Sequence, residues 1–216
     1  MIYSLLMKPV LKEYLWGGEK LKKVYKKDCN FDKIAESWEF SCREDGKSLI
    51  ANGIYAGMTL EDYVKKFGKS VLGENAKDDD FPFLIKLIDT SDRLSVQVHP
   101  DDETAIKSGE KGGKTEFWYI MDCEKGAKLY YGTNKELSQS EIINFAKDGR
   151  ITYYLNEFSV KKGDVFLIKP GMIHAIGKNM TVAEIGTNCN ITYRLYDYKR
   201  KDKNGCERPL HLAQAA

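Results

Sequence analysis

From Phe158 to Gly177 the chain reads FSVKKGDVFLIKPGMIHAIG, strand-length apolar runs cut apart by Lys162-Gly163-Asp164 and Pro170-Gly171. Runs this short, rich in β-branched and aromatic residues and ended by glycine or proline, predict strands rather than helices. The pattern recurs in Ile34–Asp45 (IAESWEFSCRED), in the apolar run Phe81–Asp89, in Thr115–Met121, in AKLYYG, and in TVAEIGTN and ITYRLYDYKR near the end. A mainly β chain of 216 residues with a sizeable core follows. A barrel or sandwich decorated with helices is the expected architecture. Lys162-Gly163-Asp164 is expected to close a hairpin between Phe158–Val160 and Val165–Ile168. Helical periodicity is confined to Met58–Gly73, with Thr59 and Asp62 as a loose capping box, to a turn or two after Asp101, and to Asn134–Gly149, with Ser138 and Glu141 as a second box. No repeat or linker divides the chain, so residues 1–216 read as one domain with helical insertions near 58–73 and 134–149.

The stretch Ser95–Asp102, SVQVHPDD, carries the chemistry. Along a strand Arg93–His99, alternation puts Val96 and Val98 on one face and Gln97 and His99 on the other. An amide and an imidazole two residues apart on one face are what a chelate needs. Pro100 removes a backbone donor and ends the strand, and Asp101 is a natural N-cap. Downstream, Glu116 and Trp118 share a face of a strand with three consecutive aromatics, and a carboxylate there needs a metal, a base or exposure. With three histidines in the chain, a histidine-based site draws on His99, His174 and His211.

Other features narrow the function. Net charge is +2, so general attraction to nucleic acid or an anionic membrane is not expected. The basic run KLKKVYKK reads as a solvated face, the acidic NAKDDD (75–80) as a solvated linker without calcium-loop spacing, and Gly109–Lys114 as a glycine loop without a phosphate-loop signature. Glu36 and Glu39 read as exposed strand carboxylates, with a place facing a site as the alternative. Five scattered cysteines without CxxC spacing, no signal peptide and no membrane span point to reduced thiols in a cytoplasmic protein.

The blocks LSVQVHPDD, GKTEFWYIM, KPGMIHAIG and TYRLYDYKR, in this order, resemble type I mannose-6-phosphate isomerases, zinc enzymes of the cupin superfamily. The resemblance runs from near Pro9 through Pro209-Leu210-His211. It implies a cupin-type double-stranded β-helix, that is, a jelly-roll barrel, with one zinc ion per chain on Gln97, His99, Glu116 and His174. It implies an aldose–ketose isomerase acting on mannose 6-phosphate and fructose 6-phosphate through a zinc-assisted enediol. Arg194 falls on the family's catalytic arginine, Arg200 and Lys114 on further basic positions, and Lys86 is a substrate-binding candidate as a charge within an apolar strand. Glu184 is the candidate base, beside a structural ion pair and a zinc-bound water as alternatives, and His211 reads as structural. Lys169 departs from the family by occupying a proline slot before Gly171-x-x-His174. The chain ends soon after His211, whereas many members continue into a second β-domain. Two other readings stand beside the isomerase: an iron-dependent cupin oxygenase and a non-catalytic sugar-phosphate sensor.

Overall fold

The computed structural model describes residues 2–76 and 80–216. Eleven strands form its two main sheets: β1 (Val10–Lys12), β2 (Glu36–Phe40), β3 (Phe83–Thr90), β4 (Val96–Val98), β5 (Glu116–Cys123), β6 (Lys128–Thr133), β7 (Leu155–Ser159), β8 (Val165–Ile168), β9 (His174–Ala175), β10 (Met180–Thr187) and β11 (Tyr193–Tyr196). One sheet has the order β8-β5-β10-β3-β2-β1 and the other β7-β6-β9-β4-β11, with antiparallel pairing throughout. From β3 onward the chain changes sheet at every connection except β6 to β7. That winding is the jelly roll expected from the sequence.

Alternation along the strands decides what lies between the sheets. Trp118, Ile120, Ile88, Val182 and Ile168 from one sheet meet Leu129, Val160 and Ile176 from the other side in the main core cluster. Val96 and Val98 turn the opposite way. They join Leu195, Ala175 and Leu155 in a second cluster, closed over by Ala146 of the helix Gln139–Asp148 and by Leu212 and Ala215. The helix thus covers the back of the smaller sheet and forces Gln97, between the two valines, toward the interior.

Four local expectations change. The helix expected over 58–73 is two: α1 (Leu60–Phe67) and α2 (Lys69–Leu72), separated by Gly68 at φ 47° and ψ −127°. That backbone region suits glycine alone and ends a helix. Thr59 caps α1 by accepting from the Asp62 amide, one half of a capping box. The helix expected over 134–149 starts at Gln139, where Ser138 and Glu141 form the full reciprocal box and Gly149 ends it in the left-handed region. The turn at Lys162-Gly163-Asp164 does not close a hairpin, because β7 pairs with β6 and β8 pairs with β5 in the other sheet. The same tight turn serves a crossover. The strand expected from Arg93 begins only at Val96. Of the acidic run 75–80, residues 77–79 lie outside the described residues. The short helix after Asp101 (α3, Asp102–Lys107) is capped by the Asp101 carboxylate as expected.

Candidate active site

Two cross-strand rows face each other between the sheets. On the smaller sheet, register places His174 of β9 opposite Gln97 of β4, and Gln97 opposite Arg194 of β11. On the larger sheet, register aligns Trp38, Lys86, Glu184 and Trp118 across β2, β3, β10 and β5. Directly opposed residues on one sheet face are near neighbours, so each row is set by backbone pairing. Gln97 and Arg194 of the first row and Lys86 and Glu184 of the second line a cavity of about 260 Å³ together with Trp16, Ile88, Leu94, Lys114, Glu116 and Arg208.

At one side of this cavity lie His99, Glu116 and His174, all buried, with ligand atoms within 4.8 Å of one another. Both rings are fixed in one tautomer. His99 donates from Nδ1 to the Ile191 carbonyl at 2.9 Å, and His174 from Nδ1 to the Met172 carbonyl at 2.8 Å. Each Nε2 is therefore a bare lone pair. His99 Nε2 stands 3.1 Å from Glu116 Oε1, and His174 Nε2 stands 3.9 Å from Glu116 Oε2. Burial pushes both imidazoles down, His174 to about 3, so neither supplies a proton to the carboxylate. The His99 lone pair faces the carboxylate at 3.1 Å and is buried without a hydrogen bond, while Glu116 Oε1 meets the Lys114 ammonium at 2.5 Å. The orphaned imidazole lone pair and the donor types of the group fit a metal ion. Gln97 of β4 lies beside the group: its amide nitrogen is 3.4 Å from His174 Nε2, and Ser95 Oγ donates to its amide oxygen at 3.3 Å.

From Glu116 a run of alternating charges crosses the larger sheet. Lys114 Nζ is 2.5 Å from Glu116 and 3.8 Å from Glu184. Lys86 Nζ is 3.3 Å from Glu184 and 3.6 Å from Glu36, and none of these five side chains is more than 11% exposed. Each lysine sits between two carboxylates, which offsets the cost of burying its charge. Burial works to raise Glu116, but neighbouring positive charge, the Lys114 ammonium at 2.5 Å among it, outweighs burial and holds the carboxyl well below the usual range. Glu184 goes the other way: burial first, then the Glu116 charge, raise it against the pull of Lys86 and Lys114.

The glycine loop before β5 now has a physical role. Gly113 packs against the backbone of Pro100–Asp102, where an added Cβ would come within 2.6 to 2.8 Å of main-chain atoms. Its amide donates to Asp102, and the Lys114 amide donates to the Pro100 carbonyl. The loop delivers Lys114 to Glu116 by close backbone approach.

The sequence candidates distribute unevenly. Gln97, Glu116, Lys86, Lys114, Glu184 and Arg194 line the cavity, with His99 and His174 behind Gln97 and Glu116. Arg200 does not line it: its guanidinium is taken by Asp197, Asp92 and the Arg93 carbonyl. His211 lies outside the metal group and accepts the Arg194 amide on Nδ1, while its own amide donates to the Arg194 carbonyl. Glu36, read as an exposed strand carboxylate, is buried at the cavity wall and takes the Trp38 indole N–H at 2.6 Å. Glu39 is held by Ser37 and Lys27 instead. Arg208 lines the cavity, and nothing in its surrounding sequence sets it apart from other arginines of a charged tail.

A model of the type I phosphomannose isomerase catalytic domain matches residues 5–136. The mannose-6-phosphate isomerase ManA of Bacillus subtilis (strain 168) is 40% identical over 212 residues, covering 98% of this chain and 66% of its own. The mannose-6-phosphate isomerase of Streptococcus mutans is 35% identical over 215 residues, covering 100% of this chain and 67% of its own. A crystal structure of the mannose 6-phosphate isomerase from Bacillus subtilis superposes with a TM-score of 0.90 at 37% identity, covering 98% of this chain and 67% of that one. The chain spans about two thirds of the length of the curated relatives it matches. No helix among the described residues is long and apolar enough to cross a membrane.

Proposed function

Because the chain belongs to the type I phosphomannose isomerase family, we propose that it interconverts mannose 6-phosphate and fructose 6-phosphate, with one zinc ion held by Gln97, His99, Glu116 and His174. The observation that carries this reading is the buried His99–Glu116–His174 group, its lone pairs directed together at one wall of the cavity. Imidazole nitrogen and carboxylate oxygen suit zinc, at bond lengths of roughly 2.0–2.2 Å. Ferrous iron also takes two histidines and a carboxylate, but a fourth protein donor from Gln97 and relatives named as isomerases support zinc and isomerisation over oxygenation. When bound, the ion would polarise the carbonyl and hydroxyl oxygens at C1 and C2.

The chain's own residues account for the rest of the reaction. Glu184 moves the proton between C1 and C2, its carboxyl raised toward a working range by burial. Lys86 and Lys114 flank it and hold its charge in place. Arg194, next to Gln97 in register, keeps Nε buried and without a partner, free to steady the oxyanion of the enediolate. Trp16, Ile88 and Leu94 form the apolar part of the wall and limit water. The same reading treats residues 1–216 as one catalytic domain working in the cytoplasm, where its five unpaired cysteines stay reduced.

Metal analysis combined with an assay coupled to fructose 6-phosphate tests the proposal. One equivalent of zinc and turnover of mannose 6-phosphate well above that of free mannose are expected. Equal turnover of both sugars, or binding of mannose 6-phosphate without conversion, would move the reading to an unphosphorylated sugar or to a sensor. Arg194→Ala is expected to lower kcat and kcat/KM together, by about 30- to 3000-fold for the loss of a buried charge partner. An unchanged kcat at saturating substrate and equal zinc content would remove Arg194 from the chemical step.

A further inference from the structure

The cavity contains more cationic side chains than the proton transfer and the metal require, and they are not equally available. Lys86 and Lys114 each have two carboxylates within 4 Å. Arg200, outside the lining, spends its donors on Asp197, Asp92 and the Arg93 carbonyl. Arg194 has no carboxylate within 4 Å among the described residues and uses only Nη1, on the Pro209 carbonyl. Arg208 shares its one carboxylate, Asp197, with Arg200. Uncompensated positive charge therefore collects at the arginine end of the cavity.

We propose that Arg208 receives the 6-phosphate of the substrate, its guanidinium held by Asp197 and its remaining donors left for the cavity it lines beside Arg194. Arg208 bonds Asp197 in the two-pronged geometry, Nε to Oδ2 at 2.7 Å and Nη2 to Oδ1 at 2.6 Å. That edge of the planar fork is spent, and Nη1 carries no hydrogen bond among the described residues. The carboxylate that grips it is itself only 4% exposed, so the grip is rigid. A pre-oriented guanidinium is the group that matches a phosphate's paired oxygens, and less entropy is lost on binding when it is already fixed. The placement of Arg194 and Arg208 is coupled: Arg194 donates to the Pro209 carbonyl, and His211 is bonded to both ends of the Arg194 peptide. Burial and then the Arg208 charge lower the Arg194 pKa, as two guanidinia sharing one space would. A dianion relieves that repulsion.

This inference rests on the isomerase reading for its substrate and is tested separately from it. Zinc-loaded wild type and Arg208→Ala are titrated calorimetrically with inorganic phosphate and with mannose 6-phosphate, and their steady-state constants are compared. Loss of a charge-assisted contact should weaken both ligands about 10- to 100-fold. KM should rise with the dissociation constant while kcat stays nearly intact. Asp197→Asn should shift KM in the same direction, as a positioning residue would. Arg208→Gln keeps a donor for Asp197 and serves if the alanine variant does not fold. A folded variant at Arg208 that binds phosphate and mannose 6-phosphate like wild type overturns the assignment, as does a loss confined to kcat. If wild type binds phosphate through Arg208 but does not isomerise mannose 6-phosphate, the functional reading falls and the phosphate site stands. If it isomerises the substrate and Arg208→Ala binds phosphate normally, the site falls and the function stands.

Discussion

His174→Ala is expected to purify without metal and to lose isomerase turnover by more than about a thousandfold, because several kcal/mol of transition-state charge stabilisation leave with the ion. The ring is fully buried, its Nδ1 proton is given to the Met172 carbonyl, and its remaining lone pair is directed toward Glu116. Alanine supplies no lone pair there. His211→Ala is the control and should keep its metal, since His211 touches Arg194 and not the metal group. Elemental analysis of both variants decides the matter: one equivalent retained in folded His174→Ala would break the ligand assignment. Acid release of the metal from wild type carries a further expectation. Burial holds His99 and His174 low, the latter at about 3, and Glu116 is held well below its usual range. Protons therefore compete for these ligands only at acidic pH, below the range where an ordinary histidine site begins to empty.

Glu184→Gln should reduce kcat by about a hundred- to ten-thousandfold, the usual contribution of a positioned base, with little change in KM. The pH profile supplies the sharper test. A base must be ionised, so activity is lost as pH falls through its pKa. Because burial and the Glu116 charge raise that pKa, the acid limb of the wild-type profile should lie above the ordinary glutamate value and vanish in the residual activity of Glu184→Gln. The same raised pKa makes this group's contribution to stability present below the unfolded value and lost as pH rises through the folded one. Lys86 keeps Glu36 at 3.6 Å in the variant, so the fold is expected to survive, which thermal denaturation checks. A variant with wild-type kcat would assign the proton transfer elsewhere.

The features that could be read in advance were those encoded within a few residues. Val96-Gln97-Val98 announces its two faces by alternation alone, and Ser138 and Glu141 announce a helix start through the spacing that lets each bond the other's backbone. Features that depend on distant partners could not be read this way. Lys162-Gly163-Asp164 turns the chain tightly whether the next strand pairs with the last or crosses to the other sheet; long-range pairing makes that choice. Glu36 is buried because Lys86 and the Trp38 indole wait for it, neither of which marks position 36 as interior. Arg200 and Arg208 sit eight positions apart in one charged tail and share the Asp197 carboxylate, and only the further bonds of Arg200 to Asp92 and the Arg93 carbonyl separate a fully engaged guanidinium from one with donors to spare. Gly68 was legible as a glycine but not as a helix break, because isolated glycines also occur inside helices.

The alternation in β5 has a consequence for how the chain finds its structure. Glu116, Trp118 and Ile120 point inward, while Phe117 and Tyr119, each 39% exposed, point out. A slip of one residue against β10 and β8 would bring in Phe117 and Tyr119 and expel a carboxylate, an exchange that oiliness alone scarcely opposes. What penalises the slipped pairing is polar: Glu116 would leave the His99 and His174 imidazoles, and Lys114, which shifts with it, would leave Glu184. The correct alignment of this strand is thus proofread by the same ionisable groups that line the cavity. Substitutions intended to silence the chemistry at Glu116 also remove the check on register, and their folding yield becomes part of the phenotype.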